Sequence, residues 1–375
     1  MCFWRFLIFR EKSPKLINLE LFTYAPATHL LIYSFTYFLI NPITINLITN
    51  NPSTQHPMTI PEHIAKSNGT PRISYELLPP IKGSSINTIF DTLDKLMPFS
   101  PPFINITYHR EEVSYIRQAD GSLKPAVVRK RPGTVAIAAA IQAKYKVDVV
   151  PHIICGGFSR QETEDALIDL DFLGIKNLLV IRGDGDKITG RFKPNPEGHR
   201  HASGLIEQIL NMNQGIYSEQ YVQNPTHTSF SIGVAGYPEK HPEAPNLDDD
   251  LFYLKQKVDK GAEYIVTQMF FDNQVFFNFV KRCREAGIDV PIIPGLKPVS
   301  IKEHLHVLPR TFSLTIPTAL AKELQNCKDN NQVRDLGREW TTSQIKELQA
   351  NGYPFVHIYT MGKVDQIAKI SENVL

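Results

Sequence analysis

Side chains able to move protons or contact a ligand stand at the ends of eight short apolar runs in this 375-residue chain. The runs are Arg72–Leu78, Phe103–His109, Val147–Cys155, Asn177–Asp184, Ser229–Pro238, Tyr264–Phe271, Pro291–Pro298 and Phe355–Thr360. Read to their C-terminal ends, they offer Glu76, then Thr107 with Tyr108 and His109, His152, Arg182 to Asp184, Tyr237, Gln268, Lys297, and Tyr359 with Thr360. Among the Ile, Val, Leu and Phe of a strand such groups are costly unless partners or a ligand satisfy them. Any one could be an ordinary satisfied strand-end residue, but polar ends on nearly every run describe a large polar-lined mouth. A carboxylic acid in such a place can serve as a general acid. His152, His241 and Asp184 could hold a metal in principle. The chain has neither H-x-H nor H-E-x-x-H spacing, so a metal-dependent hydrolase is a poor reading.

Amphipathic helical stretches lie between the runs, the alternation expected of βα units around a parallel sheet. Ser159 with Glu162 three residues on reads as a capping box. A helix from Asp248 to Lys260 meets a stop signal at Gly261. Eight strands between residues 72 and 360 predict the α/β class in the form of a single (β/α)₈ TIM barrel with an N-terminal extension. In that fold all eight C-terminal strand ends converge on the face that carries the active site. A doubly wound open sheet is the alternative, but no G-x-G-x-x-G follows the first run and no G-x-x-x-x-G-K-[ST] occurs.

A hydrophobic fraction of 42% and a charged fraction of 21% predict a sizeable core. The formal charge of +2 resides in residues 1–57, where Arg5, Arg10, Lys12 and Lys15 face Glu11 and Glu20. The rest holds 36 basic and 36 acidic residues, and so balanced a body gives no electrostatic reason to expect nucleic acid. Cys2, Cys155, Cys283 and Cys327 form no C-x-x-C pair and fit separate thiols in a reducing cytoplasm. Residues 1–57 are read as an apolar extension and 58–375 as the barrel domain. Leu30–Ile48 carries no charge and falls just short of the ~20 apolar residues that span a bilayer. Asn41, Pro42 and Asn46 interrupt it, and no small-residue cleavage site follows, so neither an anchor nor a signal peptide is favoured. Met58 is the expected start of the protein, which the mass of the native chain would check.

Nine segments occur in order along the runs. They are Ser74-Tyr75-Glu76-Leu77-Leu78-Pro79-Pro80, Asn105-Ile106-Thr107-Tyr108, Pro151-His152-Ile153-Ile154-Cys155, Arg182-Gly183-Asp184, and Ala235-Gly236-Tyr237-Pro238-Glu239-Lys240-His241-Pro242-Glu243. Lys257-Val258-Asp259-Lys260-Gly261-Ala262, Thr267-Gln268-Met269-Phe270-Phe271-Asp272, Pro294-Gly295-Leu296-Lys297-Pro298 and His357-Ile358-Tyr359-Thr360 complete them. At this spacing the chain resembles the methylenetetrahydrofolate reductase family across Ile73–Ile370. The resemblance, not the composition, implies an oxidoreductase acting on CH–NH donors. Enzymes of that family use FAD to pass a hydride from NAD(P)H to 5,10-methylenetetrahydrofolate in a ping-pong cycle, giving 5-methyltetrahydrofolate for methionine synthesis. NADH is the favoured donor here. Nicotinamide and folate take turns at one flavin face in the family, which accounts for the missing glycine fingerprint. A cytoplasmic homo-oligomer without nucleic-acid or membrane partners is expected. So is an absence of inhibition by S-adenosylmethionine, which eukaryotic relatives sense through a C-terminal domain.

The resemblance also assigns roles. Glu76 is the expected general acid: opening the folate imidazolidine ring requires a proton on its nitrogen, and Tyr75, Leu77 and Leu78 supply an apolar setting. Asp184 matches an aspartate near flavin and folate, where its charge would stabilise a cationic iminium, and Gly183 would allow close backbone approach. Gln268, Tyr359, Lys363 and Leu308 are the expected substrate contacts. The expected FAD contacts are Thr107, His152, Arg182, Gly183, Asp184, Ala202, Tyr237, His241, Asp250 and Lys257. Arg182, Lys257 and His241 suit a pyrophosphate and Asp250 a ribose. Spaced seven apart, Asp250 and Lys257 would share one helix face. Tyr253 and Gln256 stand where relatives often have an amide and a basic residue, Lys363 where arginine is usual, and Leu308 where some members have an aromatic. The segment from His109 to Arg131, with Arg129, Lys130 and Arg131, reads as a long solvated loop or a lid. The rival functions are another flavin-dependent barrel oxidoreductase, which Glu76 and Gln268 speak against, and a non-catalytic barrel binding module.

Overall fold

The computed structural model describes residues 57–185, 192–219 and 222–375. The expectations for residues 1–56 fall outside the described residues. In chain order the elements begin with α1 (Ile60–Ser67), β1 (Arg72–Leu77), α2 (Asn87–Leu96), β2 (Phe103–Ile106), β3 (Glu112–Arg117) and β4 (Leu123–Val128). They continue with α3 (Thr134–Tyr145), β5 (Asp148–Ile154), α4 (Arg160–Phe172), β6 (Asn177–Ile181), α5 (Ala202–Asn213), β7 (Ser231–Gly236), α6 (Leu247–Asp259) and β8 (Tyr264–Thr267). The last are α7 (Asn273–Glu285), β9 (Ile292–Ile293), β10 (Gly295–Leu296), α8 (His304–Phe312), α9 (Thr318–Asn326), α10 (Asn330–Ala350), β11 (Phe355–Tyr359) and α11 (Val364–Val374).

The expected barrel is what forms. β1, β2, β5, β6, β7 and β8 are parallel neighbours, β8 pairs with β9, β10 with β11, and β11 returns to β1 from Arg72↔Phe355 to Glu76↔Tyr359. β9 and β10 are halves of one strand parted at Pro294, which has no N–H to give a ladder. Closure survives the break because Pro294 O accepts from His357 N at 2.9 Å and Gly295 N donates to Thr267 Oγ1 at 2.9 Å. The eight expected runs correspond to these eight strands of the barrel.

Two sets of alternating residues divide the strands. Ile73, Tyr75, Ile104, Ile106, Val149, Leu178, Val180, Val234, Val356 and Ile358 point outward and pack in the cluster beneath the helices. Phe103, Val150, Leu179, Tyr264, Val266, Ile293 and Phe355 point inward and fill the lumen with Ile60. Phe103 and Phe355 stack there at 5.6 Å.

α1 closes the N-terminal end of the barrel. Its start is set by a capping box between Thr59 and Glu62. Ile60 N donates to Asn177 Oδ1 at 3.0 Å, Asn177 Nδ2 donates to Met58 O at 2.7 Å, and His63 Nε2 lies 2.7 Å from Asp148 Oδ2. Asp148 and Asn177 are the first residues of β5 and β6, so this plug sits opposite the expected mouth.

The stretch read as a loop contains an antiparallel hairpin, β3–β4, with Tyr115 opposite Pro125 and Val113 opposite Val127. Asp120-Gly121 makes the turn, with Gly121 at φ +84° and Gln118 N donating to Ser122 O at 2.8 Å. An Asp-Gly turn between β-branched runs is a hairpin signal. It escapes a search for barrel strands because Tyr115, Leu123 and Val127 remain exposed and join no core. Among the described residues no helix is long and apolar enough to cross a membrane, and no group of side chains could hold a metal ion.

Candidate active site

The inward-pointing set continues upward from the apolar plug into polar layers. The first holds Ser74, Asn105, His152 and His357, all buried. His357 Nδ1 and Ser74 Oγ are 2.8 Å apart, and Asn105 Nδ2 lies 3.4 Å from His152 Nε2. Glu76 stands one layer above with its side chain 12% exposed. Its Oε2 is 3.6 Å from His152 Nε2 and 3.9 Å from His357 Nε2. Three strands that are distant in sequence thus deliver two imidazoles to one carboxyl.

Burial pushes the His152 imidazole down to about 4, with His357 and His109 acting the same way and Glu76 opposing them. At neutral pH His152 is therefore a neutral ring beside Glu76, and their contact is not an ion pair. The linkage has a definite sign. The unfolded chain takes up this proton near pH 6.5, and the folded one does so only near 4. Stability from this group is complete above pH 6.5 and is lost as pH falls toward 4. The urea midpoint of the wild type should drop across that window, and His152→Gln should flatten the slope. An identical slope in the variant would rule out this burden on His152.

A second group follows β6. Arg182 places Nη1 and Nη2 at 2.6 and 2.7 Å from the two oxygens of Glu243, and its guanidinium lies 4.8 Å from the Phe192 ring centre. Gly183 adopts φ +90°, where a Cβ would lie 3.4 Å from Ile154. Asp184 is exposed. Tyr237 meets His241 edge-on at 4.7 Å. Asp250 and Lys257 do share one face of α6, and it is turned toward β7. Asp250 Oδ2 accepts from His241 N at 2.9 Å, and Lys257 Nζ donates to Ala235 O at 3.0 Å. Burial lowers Lys257 to about 8 against the opposing pull of Asp250.

Other expected residues are spread around the rim. Thr107 Oγ1 donates to Leu77 O at 3.3 Å and lies 3.2 Å from His109 Nε2. Gln268 Oε1 accepts from Met269 N at 2.9 Å, which leaves its Nε2 unbonded among the described residues. Tyr359 Oη donates to Thr267 O at 2.5 Å. Lys363 is exposed just before α11, and Ala202 opens α5. Leu308 lies in the cluster against which Tyr359 packs. It is buried among Met269, Phe271, Val299, Leu314 and Leu320, where α8 to α10 pack together.

Asn105 Oδ1, His357 Nε2 and Arg182 Nε are buried without a hydrogen-bond partner among the described residues. Buried polar atoms are rarely left so, and three around one mouth mark a place built for a ligand. Ser74, Asn105, His357 and Glu243 were not singled out from the sequence as site residues. The available signal was alternation, because Ser74 and His357 sit two residues before Glu76 and Tyr359 and so share their inward face.

The sequence pattern of the methylenetetrahydrofolate reductases matches residues 60–375. Methylenetetrahydrofolate reductase 2 of Saccharomyces cerevisiae is 32% identical over 305 residues, covering 80% of this chain and 46% of that protein. Methylenetetrahydrofolate reductase (NADH) 1 of Arabidopsis thaliana is 31% identical over 310 residues, with 80% and 47% covered. The 5,10-methylenetetrahydrofolate reductase of Escherichia coli is 28% identical over 305 residues, with 81% and 90% covered. The chain spans about half the length of the yeast and plant relatives. With a match over almost the whole barrel, and with the motif residues gathered at one mouth, the chain belongs to the methylenetetrahydrofolate reductase family.

Proposed function

We propose that this chain reduces 5,10-methylenetetrahydrofolate to 5-methyltetrahydrofolate at the C-terminal mouth of its barrel, with FAD as cofactor and NADH as electron donor. The observation that carries this is Glu76, set on the inward face between His152 and His357. Its carboxyl would deliver a proton to the imidazolidine nitrogen, breaking the ring C–N bond and leaving a substrate iminium. Asp184 would oppose the charge of that cation. Gln268, with its amide nitrogen unbonded, would contact the pterin or the nicotinamide.

The donor set suits FAD. Arg182 has a buried unpartnered Nε and is oriented by Glu243. Lys257 and His241 suit a pyrophosphate, Asp250 suits ribose hydroxyls, and Gly183 leaves room for close approach. Thr107, His152, Ala202 and Tyr237 would complete the contacts. When bound, the flavin supplies the hydride transfer between nicotinamide and folate. Preference for NADH, ping-pong alternation, a link to methionine synthesis, homo-oligomeric assembly, a cytoplasmic location and residues 58–375 as the catalytic domain belong to the same proposal and are supported by the family resemblance.

The test is to incubate the purified chain with FAD, add NADH and methylenetetrahydrofolate, and measure 5-methyltetrahydrofolate by mass spectrometry. Product formed only when all three are present is expected. FAD binding without that product would favour another flavin-dependent oxidoreductase, and no FAD binding would favour a non-catalytic binding module.

A further inference from the structure

The hairpin inserted after β2 has its feet tied to neighbouring loops. Lys82 N donates to Lys130 O at 2.7 Å, and Arg131 Nη1 donates to Pro79 O. Tyr108 packs on Phe158 with ring centres 5.0 Å apart. On one face of the hairpin Ser114, Ala126 and Val128 are half-buried. On the other, Tyr115, Leu123 and Val127 are 57%, 61% and 67% exposed. A two-stranded hairpin is marginal in water until further strands join it.

The two edges of this hairpin differ. Gln118 N donates to Ser122 O at 2.8 Å, in line with Ser114 opposite Ala126 and Ile116 opposite Lys124. Antiparallel strands exchange bonds at alternate pairs. The main-chain groups of Ser114 and Ile116 therefore face β4, and those of Val113, Tyr115 and Arg117 face outward. On β4 the outward positions are Leu123, Pro125 and Val127. Proline has no N–H to offer, so Pro125 blocks the centre of that edge. The β3 edge carries no such block, and among the described residues no other strand pairs with it. An open edge of this kind is a template for another strand.

We propose that the β3 edge pairs with the β3 edge of a second copy of this chain, making one antiparallel sheet of both hairpins about a two-fold axis. Charge complementarity selects both the occupant and the register. With Ser114 opposite the partner's Ser114 at the axis, Tyr115 stands opposite the partner's Val113 and Glu111 opposite the partner's Arg117. The two-fold repeats each pairing, so the oppositely charged cross-strand pair forms on both sides of the axis. The outward main-chain groups of the two strands then bond to each other. A register centred on Tyr115 would put Arg117 opposite the partner's Val113 and leave Glu111 with no basic residue opposite. This edge gives the homo-oligomer proposed above an interface, and it rests on that part of the proposal and not on the reaction.

Sedimentation velocity of the full chain over a concentration series tests the edge. The wild type is expected to form a dimer or a multiple of one. Tyr115→Pro removes an outward N–H and spares the bonds to β4. It should raise the dissociation constant of the pair about tenfold or more, through the main-chain bonds lost on both sides of the axis. Arg117→Glu sets like charges opposite each other and should also weaken the pair. Adding Glu111→Arg to that variant should restore it, a result that mere misfolding cannot give. The proposal is overturned if the wild type is monomeric, if Tyr115→Pro associates unchanged, or if the double variant stays as weak as Arg117→Glu alone. Unchanged assembly of Tyr115→Pro would leave the homo-oligomer standing on a different interface. A monomeric wild type would refute the homo-oligomer as well, and 5-methyltetrahydrofolate made by that monomer would leave the proposed reaction standing.

Discussion

Glu76→Gln is expected to lower NADH-driven reduction of methylenetetrahydrofolate by about 10²–10⁴-fold, the usual span for a lost general acid. NADH oxidation by an artificial quinone acceptor should be retained in the same FAD-supplemented preparation. Glutamine keeps the shape and the acceptor oxygen of the side chain, so the packing against His152 and His357 should survive. It has no carboxyl proton to give, so only the half-reaction that opens the folate ring should suffer. Parallel steady-state assays with the two acceptors decide the matter. Equal loss of both activities would show that Glu76 supports the fold or the cofactor, and its role as proton donor would have to be abandoned.

Gly295→Ala should cost the fold about 3 kcal/mol or more. The added Cβ would lie 2.2 Å from Thr267 O and 2.8 Å from the Tyr359 ring. Neither neighbour can retreat cheaply. The Thr267 carbonyl belongs to a barrel strand and accepts the Tyr359 hydroxyl, and Thr267 Oγ1 accepts from Gly295 N across the break at Pro294. Relief would therefore open the seam that closes the barrel. Gly174→Ala is the control. It has open space around it and only an unfavourable φ of +70°, so it should cost about 1–2 kcal/mol. Urea unfolding of the two variants separates the effects, and a Gly295→Ala midpoint equal to that of Gly174→Ala would refute the steric account.

The strands and several helix ends were legible in the sequence because their causes are local. A run such as Asn177–Asp184 is apolar over strand length, and Ser159 finds Glu162 within its own first turn. The order of the motifs at the strand ends was equally readable, and with it the family. The hairpin β3–β4 had its signal in Asp120-Gly121 but was hidden by the absence of any core beneath it.

What only the tertiary structure decided is which residues meet. In a closed parallel barrel both faces of each strand are covered, so the inward and outward sets look alike along the chain. Closure selects the inward set. It places Ser74, Asn105, His152 and His357 beneath Glu76 from positions up to 283 residues apart and turns Asp250 and Lys257 toward β7. Pairing and burial of this kind depend on distance through space, which no spacing along the chain contains.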